Sequence, residues 1–518
     1  MNLDLLITNA VTRFSDRVAI EDGRIARTYT QLDERMNALG NALLSAGVRP
    51  GGRVASLQYN SIETLEIELM ASRFGIVRTL LNARYAFSDF EYAINHCGAS
   101  VLFFSAEFTD LVEKLRPRLP TVELFVCIGD APSWASSYEE LIQRSSILPP
   151  QYEVSGDAWH SIYYTSGSTG RPKGVVLSQN NWVVLIRNHL VGPFSTACRD
   201  DVVLHAAPMS HASGALALSH LLRGARQITM PRFSAGETIE AIDRYGVTTT
   251  FLAPTMINML LQHEDHKNAS MASLKSVVYG AAPMIVEHLR EVLSKWGPVL
   301  IQGYGQWEAP QLFTYLSQDE HREALEAGKL HRLSSAGRAI DFCGVGVMDD
   351  EGKLLPTGST GEVVTCGDHL MVGYLDNEGA TAEIRVGKWQ RTGDIGHVDK
   401  DGFLYLTDRK KDVIITGGSN VYPREIEEVI HTHPDILEAV AIGIPDEKWG
   451  ECVHAIVVSK VGRTLDPDQF LAWCKDNLGP DRRPRSIEQL ATLPKTPYGK
   501  IMRRELREAY WQDRQRKI

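Results

Sequence analysis

The residues from Tyr164 to Gly174, Tyr-Thr-Ser-Gly-Ser-Thr-Gly-Arg-Pro-Lys-Gly, carry the densest potential chemistry in the chain. Five of these eleven are hydroxylated and three are glycine. Glycines let backbone N–H groups approach an anion closely, and hydroxyls and a lysine add donors and charge. A polyphosphate is the ligand such a set would hold. The apolar runs Ile162-Tyr163-Tyr164 and Val175-Val176-Leu177 frame the stretch as a tight loop between two short strands. A polar hairpin without a ligand is the alternative, although the density of donors exceeds what a turn requires. A Walker loop fails on spacing: it needs its lysine directly after the last glycine, and here Pro172 lies between Arg171 and Lys173.

Further stretches could do chemistry, and each also has an ordinary reading. Pro208 to Gly214 presents His211, which alone would pass for a structural histidine. No Asp or Glu occurs from Val202 to Leu222, which argues against a substrate ammonium there, since a buried ammonium without a partner is costly. Tyr279-Gly280-Ala281-Ala282-Pro283 suits close backbone approach to a ligand, and suits a strand-to-helix turn equally. Gln302 to Glu308 places one carboxylate after two glycines and two aromatic residues. Trp389 to Asp394, the charge run Asp408 to Asp412, Gly417 to Glu427 and Leu493 to Ile501 complete the set. The charge run by itself reads as a solvated loop, and Lys500 by itself as a loop charge.

In this order the stretches resemble the signature stations of the adenylate-forming superfamily, and within it the acyl-CoA synthetases, or AMP-dependent CoA ligases. The resemblance covers essentially the whole chain, with the first 150 residues matching in general pattern only. It implies that Thr165, Ser166, Gly167, Ser168, Thr169, Gly170 and Lys173 cradle the leaving phosphates of ATP. Gly280, Ala281, Ala282 and Pro283 would meet adenine, with Tyr304 stacked on it and Gly305 beside it. Glu308 would hold Mg²⁺, in keeping with the preference of that ion for one or two carboxylates plus phosphate oxygens. His211 would close the acyl pocket, Asp394 would accept from the ribose hydroxyls, and Arg409 would contact the nucleotide. Lys411 falls at the family's hinge, Gly418 lines the pantetheine tunnel, and Lys500 would bridge the carboxylate and the α-phosphate. The catalytic candidates are therefore Lys500, Glu308, His211, Thr165 and Lys173. Trp307 departs from the family, which has threonine there. It either walls the pocket or weakens adenylation.

Positioning these groups requires alternating strands and helices. Val54 to Leu57, Val122 to Val126, Val202 to Leu204, Val247 to Leu252, Ser276 to Tyr279 and Val299 to Gln302 read as strands. Thr30 to Gly47, Glu237 to Tyr245 and Ile285 to Trp296 read as helices, the first capped by Thr30 and ended by Gly47. The fold class expected is α/β: a large N-terminal domain of layered α/β subdomains over residues 1–410, and a small mobile α+β C-terminal domain over 411–518.

At 518 residues the chain is too long for one core, and its net charge of −10 argues against general nucleic-acid binding. The seven scattered cysteines fit reduced thiols, no apolar run approaches the roughly 20 residues of a membrane span, and a cytoplasmic location is expected. The function implied is an acyl-CoA ligase for an apolar fatty, aryl or polycyclic acid, with ATP/AMP, Mg²⁺ and coenzyme A. Three alternatives stay open: mainly the thioester-forming half, acting on an acyl-adenylate from a partner enzyme; a carrier-protein-loading adenylating enzyme; and a non-catalytic nucleotide-binding protein. A homo-oligomer is compatible with each.

Overall fold

The computed structural model describes residues 3–165, 171–267, 269–282, 284–417, 419–463, 465–495 and 501–511. The chain is mixed α/β and divides into two compact units, Met1–Val345 with Thr365–Gln390, and Gly346–Val364 with Arg391–Ile518. This division reports packing. The expected boundary at 410/411 concerns motion about Lys411 and stays a proposal.

Two large sheets build the first unit. One runs Arg338–Ala339, Ala309–Leu316, Leu300–Gln306, Ser276–Gly280, Thr249–Leu252, Val202–His205, Arg226–Thr229, Val18–Glu21, Ala26–Thr28. Its central strands are parallel and its edges antiparallel. The other runs Gly373–Tyr374, Lys173–Ser178, Trp159–Thr165, Val77–Leu80, Arg53–Leu57, Val101–Ser105, Leu124–Ile128, Ser136–Ser137. It is parallel from Trp159–Thr165 onward. Helices Tyr29–Ser45, Ile62–Phe74, Gln179–Val191 and Ala212–Leu221 share one apolar core with strands of both sheets. In open sheets of this kind ligands bind beyond the carboxyl ends of the strands. The segments at 206–211, 281–282 and 307–308 all leave that edge of the larger sheet.

The helix expected from Thr30 begins one residue earlier, at Tyr29, and is capped by Thr28. Thr28 Oγ1 accepts from the Gln31 N–H at 3.2 Å, and Gln31 Oε1 returns a bond to the Thr28 N–H at 2.9 Å. This reciprocal box outcompetes a cap at Thr30 because it satisfies two orphan donors at once. Leu32, Met36, Leu39 and Leu43 are buried as their spacing requires. The strand expected at 122–126 lies at Leu124–Ile128, and the others fall within a residue or two of expectation at their starts.

The second unit carries a sheet ordered Ser419–Val421, Ile414–Thr416, Gly450–Ser459, Ile436–Asp446, with Ser486–Gln489 added in parallel beside Gly450–Ser459. Helices Pro423–Ile430 and Pro467–Asn477 contribute Ile426, Ile430, Phe470 and Cys474 to its core. All seven cysteines are free. No helix among the described residues is long and apolar enough to cross a membrane.

Several histidines in the first unit are enclosed by the fold. His205 Nε2 lies 2.8 Å from Gln227 Oε1 and Nδ1 lies 2.9 Å from Ser213 Oγ, so Nε2 carries the proton. His321 Nδ1 donates to the Ser317 carbonyl at 2.7 Å and Nε2 accepts from the Tyr279 hydroxyl at 2.9 Å. Burial lowers the pKa of His205, His321 and His369 to about 4 in each case. The folded protein therefore keeps them neutral while the unfolded chain protonates them near 6.5. As pH falls through 6.5 toward 4 the unfolded state binds more protons, and stability is lost by up to about 1.4 kcal/mol per pH unit for each histidine. Melting at pH 7.5, 6.5, 5.5 and 4.5 should show a Tm that is flat at the top and falls steeply below pH 6.5. A Tm constant down to pH 5 would contradict neutral burial.

Candidate functional site

Strands Trp159–Thr165 and Lys173–Ser178 pair antiparallel, which puts Thr165 opposite Lys173 and Tyr164 opposite Gly174. The loop between them, with Ser166, Gly167, Ser168, Thr169 and Gly170, lies outside the described residues, as do Pro283, Gly418 and Lys500. At the rim of this hairpin Thr165 Oγ1 donates to Glu308 Oε1 at 3.2 Å, and the Tyr374 hydroxyl donates to the same oxygen at 3.0 Å. The backbone of Glu308 is held as well: its carbonyl accepts from Gln390 Nε2 at 2.6 Å and from the Met371 N–H at 3.1 Å. Lys173 Nζ lies 4.7 Å from the centre of the Tyr374 ring. Burial first, then the adjacent Glu308 carboxylate, raises the pKa of Tyr374, so its hydroxyl stays a donor. Glu308 and Tyr374, far along the chain from the hairpin, thus meet Thr165 and Lys173 at its rim.

One carboxylate with hydroxyl neighbours fits Mg²⁺ when phosphate oxygens supply the rest of the shell. Among the described residues no group of three or more His, Cys, Asp or Glu side chains is placed to hold a metal by itself.

The expected adenine segment has a backbone reason for its composition. Gly280 pairs with Gly303 across the parallel strands, and a Cβ on Gly280 would come within 2.4 Å of the Gly303 carbonyl oxygen. Ala281 has φ +65°, one of two non-glycine residues with positive φ among those described. Alanine in that region costs on the order of 1–3 kcal/mol, and such strain clusters at functional sites. The same register brings Ala281 and Ala282 out beside the strand that carries Tyr304 and Gly305. Tyr304 packs edge-on to Phe313, ring centres 4.7 Å apart, and the register shifts at Gly305.

His211 stands at the N-cap of helix Ala212–Leu221, with Nδ1 2.9 Å from Ser210 Oγ. Three residues on, a Cβ at Gly214 would lie 2.0 Å from the Met209 carbonyl oxygen, so the His-x-x-Gly spacing follows from this tight turn. The segment is tethered by Asn60, a residue without a sequence signature. Asn60 Nδ2 donates to the carbonyls of His205 and Ala207, both at 2.9 Å, and Oδ1 accepts from the Met209 N–H at 2.7 Å. Trp307 lies flat on Tyr163, ring centres 3.4 Å apart and planes 7° from parallel. Tyr163, Tyr374, Gln390 and Asn60 all escaped sequence reasoning.

In the second unit Asp394 and Arg409 face each other across paired strands, 2.6 Å apart, with Asp394 buried. Glu362 anchors the strand at Asp394: it accepts from the Gly393 N–H at 3.2 Å, from Arg391 at 2.6 Å and from Lys410 at 3.1 Å. Gly393 has φ +74°, which favours glycine there. The carbonyl of Lys411 accepts from Arg507 at 3.1 Å, and burial lowers the pKa of the Lys411 ammonium.

Comparison with known proteins gives this geometry a context. Residues 7–375 match the family model of the AMP-binding enzymes, and residues 425–500 match that of the AMP-binding enzyme C-terminal domain. The chain is 34% identical to a feruloyl-CoA synthase from an Amycolatopsis species, over 95% of this chain and 96% of that one. It is equally 34% identical to the fatty acid–[acyl-carrier-protein] ligase ScoC of Streptomyces coeruleorubidus, over 95% and 93%. Among solved structures, the amide bond synthetase McbA from Marinactinospora thermotolerans superposes with a TM-score of 0.87 at 28% identity, covering 98% of this chain and all of the other. A chain matched over this span by the family model is a member of the family: it belongs to the AMP-binding enzymes, the AMP-forming acid–thiol ligases.

Proposed function

We propose that the protein is an acyl-CoA ligase, joining an apolar carboxylic acid to coenzyme A at the expense of ATP. The observation that carries the reading is the Thr165–Glu308–Tyr374 cluster at the mouth of the phosphate hairpin, with Lys173 beside it. A carboxylate is a poor acylating agent because its leaving group would be oxide. In the first half-reaction a carboxylate oxygen attacks the α-phosphorus, an O–P bond forms, and pyrophosphate leaves. Such transfer depends on positioning and on neutralising charge. Residues 165–173 hold the departing phosphates, Asp394 and Arg409 hold the ribose side, and Lys500 stabilises charge at the α-phosphate. Mg²⁺, when bound, supplies further positive charge, and Glu308 is the side chain that would hold it. In the second half-reaction the thiol sulfur attacks the acyl carbonyl and AMP leaves, after rotation about Lys411 brings the Gly418 loop to the site.

The absence of acidic residues from 202 to 222 supports an uncharged acyl group. The flat contact of Trp307 with Tyr163 favours a pocket wall over a blocked nucleotide site and so favours both half-reactions in one protein. Carrier-protein loading is the second reading, supported by the likeness to ScoC. Incubation with a panel of carboxylic acids, ATP and either CoA or a holo-carrier protein, read by product mass, tests both. CoA thioesters are expected, and acylated carrier protein without CoA thioester would overturn the first reading. Comparable rates from acid plus ATP plus CoA and from synthetic acyl-adenylate plus CoA would eliminate the split-reaction alternative. No ATP–pyrophosphate exchange with any acid would favour a non-catalytic protein.

Lys500→Ala should lower adenylate formation by at least about a hundredfold, on the scale of losing one preorganised donor, while thioester formation from supplied acyl-adenylate persists. Gly418→Leu should do the reverse by filling the thiol's path. Equal losses in both assays, for either variant, would overturn its assigned role.

A further inference from the structure

The aromatic contact at Trp307 rests on a buried pair of charges. Tyr163, on strand Trp159–Thr165, covers one face of the indole and is itself 3% exposed. Its hydroxyl oxygen accepts from Arg78 Nη2 at 2.5 Å. Arg78, on the neighbouring parallel strand Val77–Leu80, is 4% exposed and forms an ion pair with Glu68 of helix Ile62–Phe74. Its guanidinium carbon also lies 5.2 Å from the centre of the Tyr163 ring and 5.5 Å from that of Trp182. Nε and Nη1 of Arg78 meet no acceptor among the described residues. His160 Nε2, 3.5 Å from Glu68, is held neutral by burial, which leaves Arg78 as the cation opposite Glu68.

Stability does not explain this arrangement. A buried ion pair is often no more stabilising than two apolar residues of the same volume, and here donors are left without partners. Orientation does explain it. Two aromatic rings face to face at this separation are disfavoured by their quadrupoles and tend to slide or tilt. A cationic donor on the phenol oxygen withdraws density from the Tyr163 ring, which eases that repulsion and fixes the ring's position. Glu68 in turn fixes Arg78. The indole then lies on a rigid support. Trp307 is half-buried, with Tyr163 against one face of its ring.

We propose that Arg78, braced by Glu68, is a positioning residue that locks Tyr163 and Trp307 into one flat aromatic wall, and that this wall selects planar aromatic acids over alkyl acids of equal size. The inference rests on the acid-activating reading above and narrows its substrate class. A stacked aromatic partner gains over an alkyl chain of similar area by roughly three- to tenfold in affinity.

The test compares nine-carbon acids, cinnamic and nonanoic, by KM and kcat in ATP–pyrophosphate exchange. It also compares the affinities of the two matching acyl-sulfamoyl adenosines by calorimetry. The unmodified protein should favour the cinnamoyl compound by about threefold or more. Tyr163→Phe keeps the ring and leaves the ion pair intact. It should raise KM for cinnamate about three- to tenfold with kcat within about twofold, and leave nonanoate within about twofold. Arg78→Met alone would strand a buried carboxylate, so it is paired with Glu68→Leu. The double variant should lose the preference, and Arg78→Lys, which keeps a charge and a donor, should retain most of it. An equal change for both acids, an unchanged ratio in Tyr163→Phe, or no aromatic preference in the unmodified protein would overturn the wall. Loss of CoA-thioester formation with the preference intact would overturn the ligase reading alone, and failure to bind either adenosine would overturn both.

Discussion

The hydrogen bond from Thr165 to Glu308 ties one large sheet to the other at the carboxyl ends of their strands. Thr165 belongs to the hairpin of the smaller sheet, and Glu308 sits in the turn between two strands of the larger. A carboxylate beside a polyphosphate would be repelled unless something bridged or neutralised the charge, so its position has to be enforced. The protein enforces it from both ends of the residue. Thr165 and Tyr374 hold the side chain, and Gln390 and the Met371 N–H hold the backbone. Trp307, the residue before Glu308, lies flat on Tyr163.

The same economy appears elsewhere. Asn60 makes three hydrogen bonds through its two side-chain polar atoms, all to the segment that precedes His211. Glu362 gathers Arg391, Lys410 and the Gly393 N–H and so fixes the stretch of strand that carries Asp394. Neither residue belongs to a motif. Asn60 satisfies backbone groups of a largely buried segment, where each group left without a partner would cost about 1–3 kcal/mol.

Much of the scaffold was legible in the sequence because strand-helix alternation is a local signal. Leu32, Met36, Leu39 and Leu43 declared a buried helical face, and the six expected strands are present. The cap at Thr28 was missed because Gln31, three residues on, completes a box that a search for hydroxyls alone does not weigh. Thr165, Glu308, Asp394 and Arg409 stand out in the sequence because each lies in a short stretch that resembles a station of the family. Tyr163, Tyr374, Gln390 and Arg78 were not, because their meaning lies in which strands are neighbours. Arg78 reads as an isolated charge in an apolar run until the strand order sets it beside Tyr163. Gly280 shows an intermediate case: its composition was noticed, but the carbonyl of Gly303 that forbids a Cβ comes from a strand about twenty residues later.

If the proposed site is right, the Thr165–Glu308 contact makes the two sheets act on the nucleotide as one unit. A double-mutant cycle measures this directly, using Thr165→Val, Glu308→Gln and the pair, with kcat/KM for ATP in pyrophosphate exchange as the readout. The double variant should lose clearly less than the product of the two single losses, an interaction of about 0.5–3 kcal/mol, as residues in contact show. Losses that multiply independently would mean that each residue serves the nucleotide alone, and would contradict it.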